Sequence, residues 1–214
     1  MAAAADSSFR SGLVLVVSAA SGTGKTSLIE AVLKENPDLQ LSISHTTRPP
    51  RSGEMNGENY HFVSEEDFRA LKAAGRFIET AEVFGHSYGT SREQLEAHRE
   101  RSEDIVLELD WQGAMQVKET TPSAVLIFLL PPSLDALKKR LEARGKDTPE
   151  TIQRRLDGAQ FEISQCREFD YLVVNDDFEV AKASLCAIIR AERARTDRIR
   201  DLDGFLQTAP SNRP

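Results

Sequence analysis

Short apolar runs rich in β-branched residues alternate with helical patterns along most of the chain. "LVLVVSA", residues 13–19, is continuously apolar, the pattern of a strand buried on both faces. It leads into "SGTGKTSLIEAVLKEN", where Leu28, Ile29, Val32 and Leu33 recur at helical spacing. "DIVLELD" (104–110), "AVLIFLLP" (124–131) and "YLVVND" (171–176) read as further strands, and "SLDALKKRLEARG" and "PETIQRRLDGAQFEISQCREF" as the helices separating the last two. Strands alternating with helices predict an α/β fold, a parallel-sheet core covered by helices on both faces.

Between about His45 and Glu96 that rhythm breaks. "YHFV" and "RFIETAEVFG" read as short strands, with the helix "SEEDFRALKAAG" between them, capped by Ser64 and ending near Gly75. A small mixed α/β insertion is expected at 45–95, and the core resumes with a helix whose capping box runs from Ser91 to Gln94. Thr148 as N-cap and Pro149 at the first helical position open the second of the two late helices. The expected organisation is one domain over 11–200: core 11–44, 96–135 and 167–200, insertion 45–95, helical lid 136–166. Polar tails at 1–10 and 201–214 are expected to be mobile, though the chain beyond Arg200 also suits an extension of the last helix.

With 27 basic and 34 acidic residues the net charge is −7, which argues against general nucleic-acid binding but not against a local phosphate site. Residues 134–156 carry seven Lys/Arg against four acids, a basic excess on an acidic background. The start, "MAAAAD", lacks a secretory pattern, and no apolar run approaches a membrane span. The two cysteines, Cys166 and Cys186, show no metal-ligand spacing, and the four histidines form no i,i+4 pair. A reduced, cytoplasmic compartment is the expectation, with no membrane partner and the oligomeric state left open.

The strand–turn–helix "SAASGTGKTSL" is one methyl group from the G-x-x-x-x-G-K-[ST] phosphate loop, because Ala19 stands at its first position. Gly22 and Gly24 let backbone N–H groups curl toward an anion, Lys25 reaches terminal phosphates, and Thr26 offers a hydroxyl to Mg²⁺. The loop defines a nucleoside-triphosphate site. No Asn-Lys-x-Asp element, which would read the guanine of a GTPase ligand, occurs.

A second phosphate is suggested by "SISHTTRPPRSGEMNGENYHF", where Pro49 and Pro50 stiffen the loop bearing Arg48 and Arg51, as in a rigid two-armed fork. Tyr60 and Tyr88 add hydroxyls. Glu108 interrupts an apolar strand, where an unpaired carboxylate is costly unless a ligand supplies donors, and Glu79 in "RFIET" is a second such carboxylate. Guanine offers N–H donors at N1 and N2 beside an O6 acceptor that Ser44 or Thr90 would address; adenine lacks the N1 donor and the O6.

With these segments, "FIETAEVFGHSYGTS", "LELDWQGA", "PPSLDALKKRLEARG" and "VVNDD", the chain resembles the bacterial guanylate kinases from about Leu13 to Arg195. The resemblance implies a nucleoside monophosphate kinase of purine nucleotide metabolism, transferring the γ-phosphoryl group of ATP to GMP, and to dGMP, with Mg²⁺. It implies that Ala19, Ala20, Ser21, Gly22, Thr23, Gly24, Lys25 and Thr26 hold ATP, with Asn175 near the adenine. Ser44, Glu79, Thr90 and Glu108 would read guanine, and Arg48, Arg51, Tyr60 and Tyr88 would hold the monophosphate. Asp110 would orient water on the metal bound at Thr26. Lys25, Arg51 and the lid arginines Arg140, Arg144 and Arg155 would gather around the transferred group, with Gly145 as a hinge. Three departures stand out: Ala19 for the first glycine, Ala20 for a common proline, expected to loosen the start of the loop, and Glu108 where many relatives carry aspartate. The alternatives are a non-catalytic phosphopeptide-binding module of the same shape, disfavoured by the intact Gly24-Lys25-Thr26, and a kinase with a different acceptor.

Overall fold

The computed structural model describes residues 10–83, 85–143 and 148–208. Arg144, Gly145 and Lys146 lie outside the described residues, as do most of the residues assigned to the tails.

Five strands form the core sheet: β1 (Val14–Ala19), β2 (Leu39–Leu41), β7 (Asp104–Glu108), β8 (Val125–Leu130) and β9 (Tyr171–Val174), in the order β2-β7-β1-β8-β9. Every pairing is parallel. β1, at the centre, is buried along almost its whole length, which is why it reads as unbroken apolar sequence. Helices α1 (Lys25–Glu35) and α7 (Phe178–Arg193) supply Leu28, Ile29, Val32, Leu185 and Ile189 to one face. The other face packs against α3 (Arg92–Glu100) and α4 (Trp111–Thr120) through Leu95, Ala114 and Val117, with Phe128 and Phe169 edge-to-face at 5.0 Å.

The insertion is a second, mixed sheet in the order β4-β3-β6-β5, made of β3 (His45–Thr46), β4 (His61–Phe62), β5 (Phe77–Val83) and β6 (His86–Ser91). Helix α2 (Glu65–Ala73) packs Phe68 on Phe77 beside it. Ser64 and Ser91 cap α2 and α3 as the sequence predicts, but Gln94 accepts from the Ser42 hydroxyl. The short strands β2, β3 and β6 carry little apolar signal and are not evident in the sequence.

Edge strand β5 meets the core through Ile78, buried with Leu95, Ala114 and Val117, and through a side-chain amide. Gln116 of α4 accepts from the Thr80 N–H and donates to the Thr80 carbonyl, both at 3.0 Å, extending the ladder with a side-chain amide. Thr148 and Pro149 open α6 (Pro149–Ser164) as expected, and α5 (Leu134–Ala143) precedes it. Part of the segment expected to be a mobile tail forms a further helix, α8 (Leu202–Thr208). No helix among the described residues is long and apolar enough to cross a membrane.

Asp104 anchors the amino-terminal end of the sheet. Its side chain is fully buried, paired with Arg10 and Arg193, and accepts from the Leu13 N–H at 2.8 Å. Burial pushes its pKa up, but these donors overcome that and hold it below the usual aspartate range. Asp104→Ala, which leaves buried Arg10 without its carboxylate while Arg193 keeps Asp38, is expected to cost roughly 3–5 kcal/mol in urea-unfolding experiments.

Candidate active site

The functional cleft opens at the carboxyl end of β1, where the chain turns through 20–24 into α1. Gly22 and Gly24 have φ of 96° and 95°, a region that side-chain-bearing residues avoid. A Cβ on Gly22 would also lie 2.9 Å from Leu141. Helix α1 has no side-chain cap and no acid in its first turn, whereas α2, α3, α4, α6 and α7 are each capped by a Ser, Thr or Asp. Its first N–H groups therefore remain available to an anion.

Ala20 is 2% exposed and packs against Leu137 and Leu141 of α5 and Ile152 and Ala159 of α6. The start of the loop is pinned by this packing, contrary to the looseness expected of an alanine there. Behind the loop, the Thr23 carbonyl accepts from Asn175 Nδ2 at 2.7 Å and Arg140 at 3.3 Å, and Arg140 also donates to the Asn175 carbonyl at 2.8 Å. Arg140 thus braces the loop from behind. Arg140, Asn175, Asp176 and Phe178 border a second depression shared with Gly22, Thr23 and Gly24.

The cleft before the loop, about 260 Å³, is lined by 19–27, Ser44, Tyr60, Glu79, Tyr88, Glu108, Asp110 and Glu162. Lys25 Nζ donates to the Leu109 carbonyl at 2.6 Å and lies 4.0 Å from Glu108. The Thr26 hydroxyl donates to Glu108 at 2.6 Å. Glu108 is level with Val17 in the parallel β1–β7 register, which sets it beside the triphosphate loop. Its hydrogen bond goes to Thr26, and none described joins it to Ser44, Glu79 or Thr90.

Glu79 occupies the other end, 3% exposed on β5. Thr90 donates to it at 2.7 Å, and Ser44 lies 3.5 Å from Thr90. Desolvation pushes the Glu79 carboxyl up to about 7, Thr90 opposes the shift, and the nearby Asp110 charge adds to it. Asp110, expected at the metal, caps α4 by accepting from the Gly113 N–H at 2.9 Å. A Cβ on Gly113 would fall 2.7 Å from Glu79 and 3.4 Å from Asp110, so the absent side chain lets both carboxylates approach this helix start. Asp110 accordingly stands at the Glu79 end as well as in the cleft.

The expected arginine fork is uneven. Arg48 is 8% exposed, donates to the Pro49 carbonyl and to Glu54, both at 2.9 Å, and lies over the Tyr60 and Phe62 rings at 5.4 and 5.8 Å. Arg51 is exposed, its N–H donating to Glu54 at 2.7 Å. Glu54 thus organises the loop, a role the sequence analysis missed although an acid in that stiffened segment was a visible cue. Tyr60 sits edge-on to Tyr88 at 6.0 Å, and burial with the Glu108 charge pushes its hydroxyl up to about 12, leaving it a neutral donor. Arg155 lies on α6, which approaches the cleft through Glu162, another residue the sequence analysis missed.

A parallel sheet with an uncapped loop–helix turn at its carboxyl end, facing a second polar site across one cleft, defines a P-loop nucleotide-binding protein. The guanylate kinase family model matches residues 11–192, and the chain belongs to that family of nucleoside monophosphate kinases. It is 52% identical over 187 residues to the guanylate kinase of Alkalilimnicola ehrlichii, covering 87% of this chain and 92% of that one. Against the guanylate kinase of Hahella chejuensis it is 54% identical over 184 residues, covering 86% and 88%. The crystal structure of guanylate kinase from Anaplasma phagocytophilum superposes with a TM-score of 0.79 at 37% identity, covering 94% of this chain and 96% of that one.

Thr90→Val removes a hydrogen bond that favours the charged form of Glu79. The Glu79 titration, followed by carboxyl-carbon NMR, is expected to move further upward.

Proposed function

We propose that this protein transfers the γ-phosphoryl group of ATP to GMP, and to dGMP, giving ADP and GDP. The observation that carries this reading is the single cleft bordered at one end by Lys25 and the uncapped start of α1, and at the other by Glu79, Thr90 and Ser44. The N–H groups of Gly22, Gly24, Lys25 and Thr26 and the Lys25 ammonium receive the donor phosphates, while the depression at Arg140, Asn175 and Phe178 takes the donor base.

Guanine lies against Glu79, donating through N1–H and N2–H to its carboxylate, with Ser44 facing O6. Asp110 joins this set and Glu108 joins the donor set, an exchange of the roles the resemblance implied. Tyr60, Tyr88, Arg48 and Arg51 hold the acceptor phosphate. Thr26 and Glu108 supply two oxygen atoms 2.6 Å apart, suited to a hard cation that takes its other ligands from water and phosphate. Mg²⁺ held there would neutralise donor phosphate charge.

Transfer is direct and in line. An oxygen of the ionised GMP phosphate attacks the γ-phosphorus, so no protein nucleophile is needed. Lys25 must exchange the Leu109 carbonyl for phosphate oxygens, and Arg51 and Arg155 approach the reacting group. The described parts of the insertion, with α5 and α6, close over the cleft and exclude water.

A panel of nucleoside monophosphates in an ADP-release assay with ATP and Mg²⁺ tests the reading. GMP and dGMP are expected to be consumed, and AMP and pyrimidine monophosphates left largely untouched. A folded protein that leaves GMP unchanged overturns it. Lys25→Ala is expected to lose at least about a hundredfold in kcat with the thermal melt preserved.

Glu79 should also reveal GMP binding through protons. With its carboxyl near 7 when empty, donation from guanine favours the charged form and lowers that pKa. Binding at pH 7 is therefore expected to release a fraction of a proton, measured by calorimetry in buffers of different ionisation enthalpy. Glu79→Gln should abolish that release.

A further inference from the structure

We propose that Glu162 is a positioning residue of the donor site, tying helix α6 to the backbone of the triphosphate loop and so setting where Arg155 stands before the donor arrives. The inference rests on the donor-site reading above and adds a residue to it. Glu162 Oε2 accepts from the Ser21 N–H at 3.3 Å, joining positions 141 apart in sequence. The same carboxylate lines the cleft with Lys25 and Asp110.

Arg155 and Glu162 are seven residues apart within one helix. Seven residues fall only about 20° short of two full turns, so both share a face. Ala159 lies on that side too, packed with Ile152 of α6 and with Ala20 of the loop. Close packing transmits a shift of the helix to the loop instead of absorbing it. Phe161 meets Trp111 at the start of α4 edge-on, with ring centroids 5.7 Å apart, so α6 touches both walls of the cleft.

A carboxylate is an unexpected side chain beside an anion-binding loop. Burial pushes the Glu162 pKa up and the Asp110 charge adds to this, while the Ser21 N–H and Lys25 oppose it. What it supplies is an acceptor for an N–H at the loop's rim. With that group engaged, the loop keeps its curvature while empty, and less ordering is left for the donor to impose. An apolar residue would fill the space without holding the backbone.

The test combines kinetics with the chain's single tryptophan, Trp111, whose neighbour Phe161 directly precedes Glu162. In Glu162→Ala, kcat is expected to fall about tenfold and the KM for ATP to rise several-fold, while the KM for GMP stays within about twofold. Glu162→Gln, whose side-chain oxygen still accepts from Ser21, should restore most of both. A non-hydrolysable ATP analogue should change Trp111 emission in the wild type and in Glu162→Gln, and much less in Glu162→Ala. The proposal is overturned if Glu162→Ala matches the wild type in both kinetics and emission. It is overturned equally if Glu162→Gln is as impaired as Glu162→Ala, since charge and not the hydrogen bond would then matter. Should Glu162→Ala melt below the assay temperature, Glu162→Asp takes its place, the shorter side chain predicting the same losses. Wild-type turnover of GMP, measured alongside, separates failure of this inference from failure of the activity assignment.

Discussion

Because β1 lies in the middle of a wholly parallel sheet, with β7 on one side and β8 on the other, its carboxyl end faces a turn flanked by two other strand ends. The chain leaves that point through a tight loop and enters α1 with no side chain to cap it. Unpaired backbone N–H groups at a helix start are costly to bury and favourable to place against an anion. The cleft, the neighbouring carboxylates and the braces behind the loop are all arranged about this one electrostatic demand. β7 brings Glu108 beside Thr26, and the chain beyond β9 brings Asn175 beneath the Thr23 carbonyl.

The loop is held from more than one side. Asn175 and Arg140 fix its carbonyl edge, while Leu137, Leu141, Ile152 and Ala159 pack against Ala20. Such a loop has little freedom left to lose on binding, which favours affinity for the donor without added contacts. The acceptor end differs. Its sheet joins the core through few polar links, among them the Gln116–Thr80 pair, and its arginine loop leaves Arg51 exposed.

Carboxylates divide the cleft by their surroundings. Glu79 is desolvated, and burial pushes its carboxyl up to about 7. Glu108, only partly buried, accepts from Thr26 and lies 4.0 Å from Lys25. Two acids of the same type thus suit different tasks because one sits among β-strands and the other at the mouth of a phosphate loop.

Much of this was legible in the chain itself. Continuous apolar runs mark the buried strands, Ser64, Ser91 and Thr148 mark helix starts, and "SGTGKT" marks the triphosphate loop, because each signal acts between residues close in sequence. The two-residue strand β3 was illegible, since backbone pairing across the insertion forms it and no periodicity encodes it, whereas β4 falls within "YHFV" as expected. Which of Glu108 and Asp110 faces the loop, and which approaches Glu79, depends on strand register and on a missing Cβ at Gly113. The partners of Arg140, Glu54 and Glu162 likewise depend on packing between distant segments. Local composition determined the kind of ligand this chain would grip; the assignment of each charge to one end of the cleft was decided only when strands and helices far apart in sequence came to share one space.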